Sequence, residues 1–243
     1  MKIYVCSDVG NVRPSNQDTY FIGRFSENHN AWAVVCDGMG GNAGGNIASS
    51  LASKAIGNSI NSSFRNNMKP VQIKSVFLSA FSLANANIYD FVKNNPEYEG
   101  MGTTAVSVIT NDDTAFIANI GDSRAYLIRK NSIEQVTTDH SYVQELVDAG
   151  VITKDEARVH PHRNLITRAL GTDYNTTIDF TIVDYSKDDK LLLCTDGLSG
   201  FLTDEQILNI ASDDTITNPA RVLVEMAMSV GSTDNVTAVL ISD

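Results

Sequence analysis

The sequence predicts an α+β fold in which antiparallel sheets carry helices on their outer faces. Three observations predict it. Strand-like apolar runs come in blocks near both ends of the chain instead of alternating singly with helices, which argues against strict βαβ order. Between these blocks, two long segments after Asn46 carry apolar residues at helical spacing. From Thr104 to Val136 the chain is a series of short β-rich pieces separated by tight polar turns.

Ile3–Ser7, Thr19–Arg24 and Ala31–Cys36 read as strands. Ile47, Leu51, Ala55 and Ile56 mark a first helix. A second starts at Pro70, a residue suited to a first turn, with Ile73, Val76, Phe77, Ala80, Phe81, Ala84, Ile88 and Phe91 as its apolar stripe. The polar stretch Asn61–Lys69 joins the two. Thr104–Thr110, Thr114–Ile120, Arg124–Arg129 and Ser132–Val136 are expected to form an antiparallel meander. His140–Arg168 reads as a polar excursion with one short helix near Tyr142–Ala149, ending in HPHRNLITR. Strands resume at Thr176–Val183 and Lys190–Cys194. TDEQ from Thr203 is a capping-box pattern with Gln206 at its fourth position. Asn218-Pro219 opens a helix to about Ser229, and Val236–Ile241 is the last strand.

The 243 residues, 42% hydrophobic and 19% charged, suit a globular chain with a sizeable core. The longest apolar run, Ala31–Cys36, is far below the roughly 20 residues of a membrane helix. MKIYVCSD leaves no room for a signal-peptide core. The three cysteines, Cys6, Cys36 and Cys194, form no CxxC pair and lie in or beside β-like runs, as small hydrophobes do. These features lead us to expect a reduced, cytoplasmic protein away from the membrane. A net charge of −11 offers no basic footprint for nucleic acid.

Chemistry concentrates where apolar runs end in acids. Asp37 follows AWAVVC, Asp122 follows AFIANIG, Asp196 follows KLLLCT, and Asp234 sits in GSTDN just before VTAVLI. If these ends converge, they form a cluster of hard oxygen ligands suited to magnesium or manganese. Asp-Gly is also a hairpin-turn signal, but neither Asp37-Gly38 nor Asp196-Gly197 is followed at once by a second strand. For Asp122, in IGDSR, the turn reading stays open. Five of the eight residues after Asp37 are glycine, yet no GK[ST] follows, so this is no phosphate loop. The glycines let backbone approach a ligand closely, and the Gly38 carbonyl could itself bind a metal. Arg13, in GNVRPSNQD with Asp18 close behind, could grip phosphate with its planar fork, or be a plain surface arginine. His29 is expected at the surface, and His140, His160 and His162 in the excursion are expected to be structural.

SDVGNVRPSNQD, VVCDGMGGNAGG, GMGTTA, ANIGDSRAYLIR, TDHSYVQELVDAGVIT, HPHRNLITRALGT, LLLCTDGLSGFLTDEQI and GSTDNVTAVLI occur in this order over residues 7 to 241. Together they resemble the type-2C protein phosphatases, the metal-dependent Ser/Thr phosphatases, in their bacterial form. The resemblance implies a four-layer α-β-β-α sandwich and one catalytic domain over 1–243, with a flap at about 140–170. It implies two Mn2+ or Mg2+ ions, with Asp37 bridging both, Gly38 giving its carbonyl to the second, and Asp196 and Asp234 completing the first. Asp18 would act through water on the second ion. Asp122, with Asp196, would serve a third. Arg13 would bind the phosphoryl group, and a water bridging the ions would attack phosphorus directly. Expected partners are proteins phosphorylated on Ser or Thr and a partner Ser/Thr kinase, with the phosphatase itself monomeric. Two departures stand out. Met39 follows the DG where many eukaryotic relatives have a histidine, which leaves the general acid unassigned. Ser232 replaces a usual glycine in the last motif, where only a local backbone change is expected. An inert phosphoprotein sensor on the same fold would have lost its ligands, whereas Asp37, Asp196 and Asp234 are all present.

Overall fold

A strand whose side chains are all apolar needs cover on both faces, and AWAVVC receives it from two directions. In the computed structural model, which describes residues 1–25, 30–41 and 44–243, Trp32, Val34 and Cys36 face one apolar layer. Ala31, Ala33 and Val35 face another. The same alternation separates Leu192 and Cys194 from Leu191 and Leu193. His29 lies outside the described residues.

The layer shared by both runs lies between two sheets. One has the order β1 (Lys2–Asp8), β11 (Val236–Ser242), β10 (Lys190–Cys194), β7 (Arg124–Arg129), β8 (Ser132–Gln135). The other runs β2 (Asp18–Arg24), β3 (Ala31–Met39), β5 (Ala105–Asn111), β6 (Thr114–Ile120), β9 (Asp179–Asp184), with β4 (Gly102–Thr103) paired to the end of β3. The strand pairs of both sheets are antiparallel. On one outer face lie α1 (Gly44–Ser63) and α2 (Pro70–Asn94), whose Ile73, Phe77, Phe81 and Ile88 are buried against Trp32, Ile109 and Phe116. On the other lie α5 (Asp196–Ser199), α6 (Asp204–Ser212) and α7 (Pro219–Ser229), burying Leu198, Ile207, Leu223 and Val224. This is the expected α-β-β-α sandwich. No described helix is long and apolar enough to cross a membrane.

Three local expectations are corrected. The segments from Thr104 to Val136 are not one meander. β5–β6 and β7–β8 are separate hairpins in different sheets, and Gly121–Ser123 carries the chain between them. Asp122 therefore lies in a crossover and not in a hairpin turn. β3 does not stop at Cys36: Asp37 pairs with Asp18, and β4 pairs with Gly38 and Met39, drawing the strand on to Met39. The excursion holds two helices, α3 (Tyr142–Asp148) and α4 (Lys154–Val159). The second is closed by a capping box between Thr153 and Glu156.

Candidate functional site

The sheets bring the acids together at one end of the sandwich. Asp37 is fixed through its backbone. Its amide donates to Thr104 Oγ1 (3.0 Å), and its carbonyl accepts from Thr103 Oγ1 (2.8 Å) and the Thr104 amide (2.9 Å). Asp18 stands opposite in the β2–β3 register. Its Oδ2 accepts from Thr195 Oγ1 at 2.8 Å, which ties one sheet to the other. Asp196 is the first residue of α5, directly after Thr195. Asp234 accepts from Arg13 Nη2 (2.8 Å) on one oxygen and from the Asn235 amide (2.8 Å) on the other.

The glycines set how closely these segments approach. A β-carbon on Gly38 would collide with the Gly45 carbonyl, and one on Gly45 would stand 2.6 Å from the Gly38 carbonyl oxygen. Glycine at both positions lets the start of α1 press directly against the Gly38 carbonyl at the end of β3. At Gly197 a β-carbon would collide with the Asn235 carbonyl, so α5 and the Asp234 loop meet backbone to backbone. Ser232 is buried there, and its hydroxyl donates to the Gly197 carbonyl at 2.8 Å. Its effect is thus more than a local backbone change: it adds a bond that the usual glycine could not make.

Burial pushes Asp37 well above the usual carboxylate range, and the charges of Asp18, Asp196, Asp122 and Asp234 push it further. Asp18 is raised to about 7, by burial first. Asp122 and Asp196 are raised by burial and then by neighbouring carboxylates. Like charges this crowded cannot all ionise without a cation. Asp18 Oδ1 and Asp196 Oδ1 are buried and have no hydrogen-bond partner, so this donor set suits a hard divalent ion. Among the described residues no three such side chains already close into a metal cage, and Asp234 has both oxygens engaged.

A cleft of about 590 Å³ opens from Asp122, Asp196 and Asp234 towards α3 and α4, where Lys154, Arg158 and Arg163 line it. Arg158 Nη2 donates across to the Leu202 carbonyl at 3.1 Å. Arg124 lines the same cleft and holds Asp139 through two parallel bonds, Nε to Oδ1 at 2.9 Å and Nη2 to Oδ2 at 2.7 Å. His140 is buried at the root of the excursion, where its Nδ1 accepts from the Gly121 amide at 3.1 Å beside Asp122. His160 and His162 pack with Tyr142. Met39 pairs with Gly102.

A sequence profile of the protein phosphatase 2C family matches residues 12–236. The chain belongs to this family. Membership makes it an enzyme of the protein phosphatase class. The phosphatase is 32% identical over 236 residues to serine/threonine phosphatase stp of Listeria welshimeri, a match covering 97% of this chain and 93% of that protein. Serine/threonine phosphatase Stp1 from Staphylococcus aureus has a TM-score of 0.91 at 34% identity, covering 100% of this chain and 94% of that one. The catalytic domain of the phosphatase PstP, solved in complex with two manganese ions, gives 0.85 at 33% identity, covering 100% of this chain and 98% of that one.

Proposed function

We propose that the chain is a metal-dependent serine/threonine protein phosphatase, a single catalytic unit over residues 1–243 with residues 140–170 as a flap beside the cleft. The observation that carries the reading is the crowd of buried carboxylates, two of whose oxygens lack any partner. Asp37, Asp196 and Asp234 would hold one Mn2+ or Mg2+ ion. Asp37 and the Gly38 carbonyl would hold a second, with Asp18 acting through water. Asp122 and Asp196 would serve a third. Bound ions would supply a bridging water whose lowered pKa would let it attack phosphorus directly near neutral pH. The residues do the rest. Arg13 offers its fork to the phosphoryl oxygens. Thr195 holds one oxygen of Asp18 and leaves the other free, and Thr103 and Thr104 fix the backbone of Asp37. The Mn2+-bound PstP relative supports the two-ion reading. Substrates are cytoplasmic proteins phosphorylated on Ser or Thr by a partner kinase, and the enzyme acts as a monomer.

Hydrolysis of p-nitrophenyl phosphate and of a phosphothreonine peptide tests this. Excess EDTA should abolish both activities and manganese should restore them. Titration calorimetry should show manganese binding that Asp37→Ala removes. Full activity in EDTA would sink the reading.

A further inference from the structure

Arg13 sits on an exposed tip. Asn11 to Ser15 are all exposed, they lie in neither helix nor strand, and the Arg13 side chain is 49% accessible. Its guanidinium is tied to Asp234 through Nη2 (2.8 Å), and the backbone that carries it is placed by the roots of the loop. One side chain holds both roots. Asn235, 4% exposed, accepts from the Gln17 amide on Oδ1 (2.8 Å). Its Nδ2 donates to the Val9 carbonyl (2.9 Å) and the Ser15 carbonyl (3.0 Å). Both N–H groups and the oxygen of one amide are thus spent on a loop more than 200 residues away in sequence.

We infer that Asn235 is a positioning residue for phosphate recognition: it clamps the Val9–Gln17 loop so that Arg13 meets the phosphoryl group. The inference rests on the reading of Arg13 as the phosphate-binding arginine. A carboxamide suits the task because it offers donors to two carbonyls and an acceptor to an amide at once. Aspartate has the same shape but would set a carboxylate oxygen against the Val9 and Ser15 carbonyls, breaking both donor bonds. Small errors in placing a binding group cost much of its benefit.

The test compares Arg13→Ala, Asn235→Asp and the double variant, with p-nitrophenyl phosphate as substrate and inorganic phosphate as inhibitor. Asn235→Asp should raise both KM and the phosphate inhibition constant by roughly tenfold, with kcat changed far less. The double variant should be no worse than Arg13→Ala alone, because both act on one interaction. Manganese affinity by calorimetry should stay unchanged in Asn235→Asp. If Arg13→Ala leaves KM unmoved, the reading of Arg13 fails and the inference with it. If Arg13→Ala raises KM and Asn235→Asp does not, the inference alone is overturned. Independent, multiplying effects overturn it as well. So does a loss of manganese affinity, which would mean that Asn235 acts through its neighbour Asp234. Hydrogen exchange in the unmodified protein keeps the idea testable even if the variant fails to fold. The Gln17 amide should exchange far more slowly than those of Asn11 and Val12, and equal rates would overturn the clamp.

Discussion

Single residues in this site divide into those whose chemistry is written in their own side chain and those whose role exists only through a distant partner. Asp37, Asp196 and Asp234 belong to the first kind. A carboxylate next to an apolar run is conspicuous whatever surrounds it, and the sequence alone marks these three as candidates. Thr104, Thr195 and Asn235 belong to the second. Thr104 answers the amide of Asp37 across 67 positions, and Thr195 answers Asp18 across 177. No local pattern distinguishes them from other small polar residues, although each lies inside one of the family-like motifs. Glycines fall between the two kinds: the density of the loop after Asp37 was legible, but which of its glycines is obligatory was not. The structure separates them. A β-carbon on Gly38 would collide with the Gly45 carbonyl and lie 2.8 Å from the Gln17 carbonyl, whereas one on Gly41 would meet nothing within 4 Å. Gly38→Ala should therefore destabilise by about 1–3 kcal/mol, as forced overpacking does. Thermal unfolding should show this as a fall in Tm of roughly 2–4 °C per kcal/mol. Gly41→Ala should leave Tm near that of the parent. Equal effects at the two positions would contradict the close approach of α1 to β3.

At the scale of elements, strands and helices were legible because periodicity is local, whereas membership of a sheet was not. The hairpins β5–β6 and β7–β8 have the same short-strand, tight-turn appearance, yet they belong to opposite sheets. What separates them is the crossover at Gly121–Ser123, whose geometry depends on His140, itself bonded to Gly121 through side chain and backbone. Helix α4 was missed for a different reason. Its signal, Thr153 followed by Glu156, was readable as a capping box, but six residues are too few to show an apolar period. That shortness makes the cap decisive. Isolated helices of this length do not persist in water, and the Thr153 and Glu156 side chains satisfy the first-turn amides. Thr153→Ala should cost about 1 kcal/mol of local stability. Because α4 lies at the edge of the cleft and contributes no side chain to either outer apolar layer, the loss should appear as faster amide exchange confined to Lys154–Val159. The global Tm should move by no more than about 1 °C, since such segments open independently of the core. A global loss of several degrees would show that the excursion is a structural part of the sandwich and not a flap.

For the whole molecule, the sandwich carries a cost at one end that its apolar layers must bear. Asp18, Asp37, Asp122 and Asp196 are each raised above their ordinary value, with burial the first cause in each. A carboxyl raised in the folded state keeps its proton at a pH where the unfolded chain has released it. Across that window the folded state binds more protons, so stability falls as pH rises. For Asp18 the window runs from its ordinary 3.8 to about 7, and the other three shift in the same direction. His140 acts oppositely: burial lowers it, so it costs stability as pH falls below its ordinary 6.5. One imidazole against four carboxyls leaves the acids dominant. Metal-free protein should therefore melt at a higher temperature at pH 5 than at pH 7.5. Manganese should reverse the order. Ions bind the deprotonated carboxylates, and anything that binds only the folded state stabilises it by mass action, so their contribution grows as pH rises through the same window. Calorimetric melts at the two pH values, with and without millimolar manganese, read both slopes. If the metal-free protein were equally stable at both values, the acids would not share one buried site. If the metal-free slope fell as expected but manganese failed to invert it, the acids would be buried together without serving as its ligands.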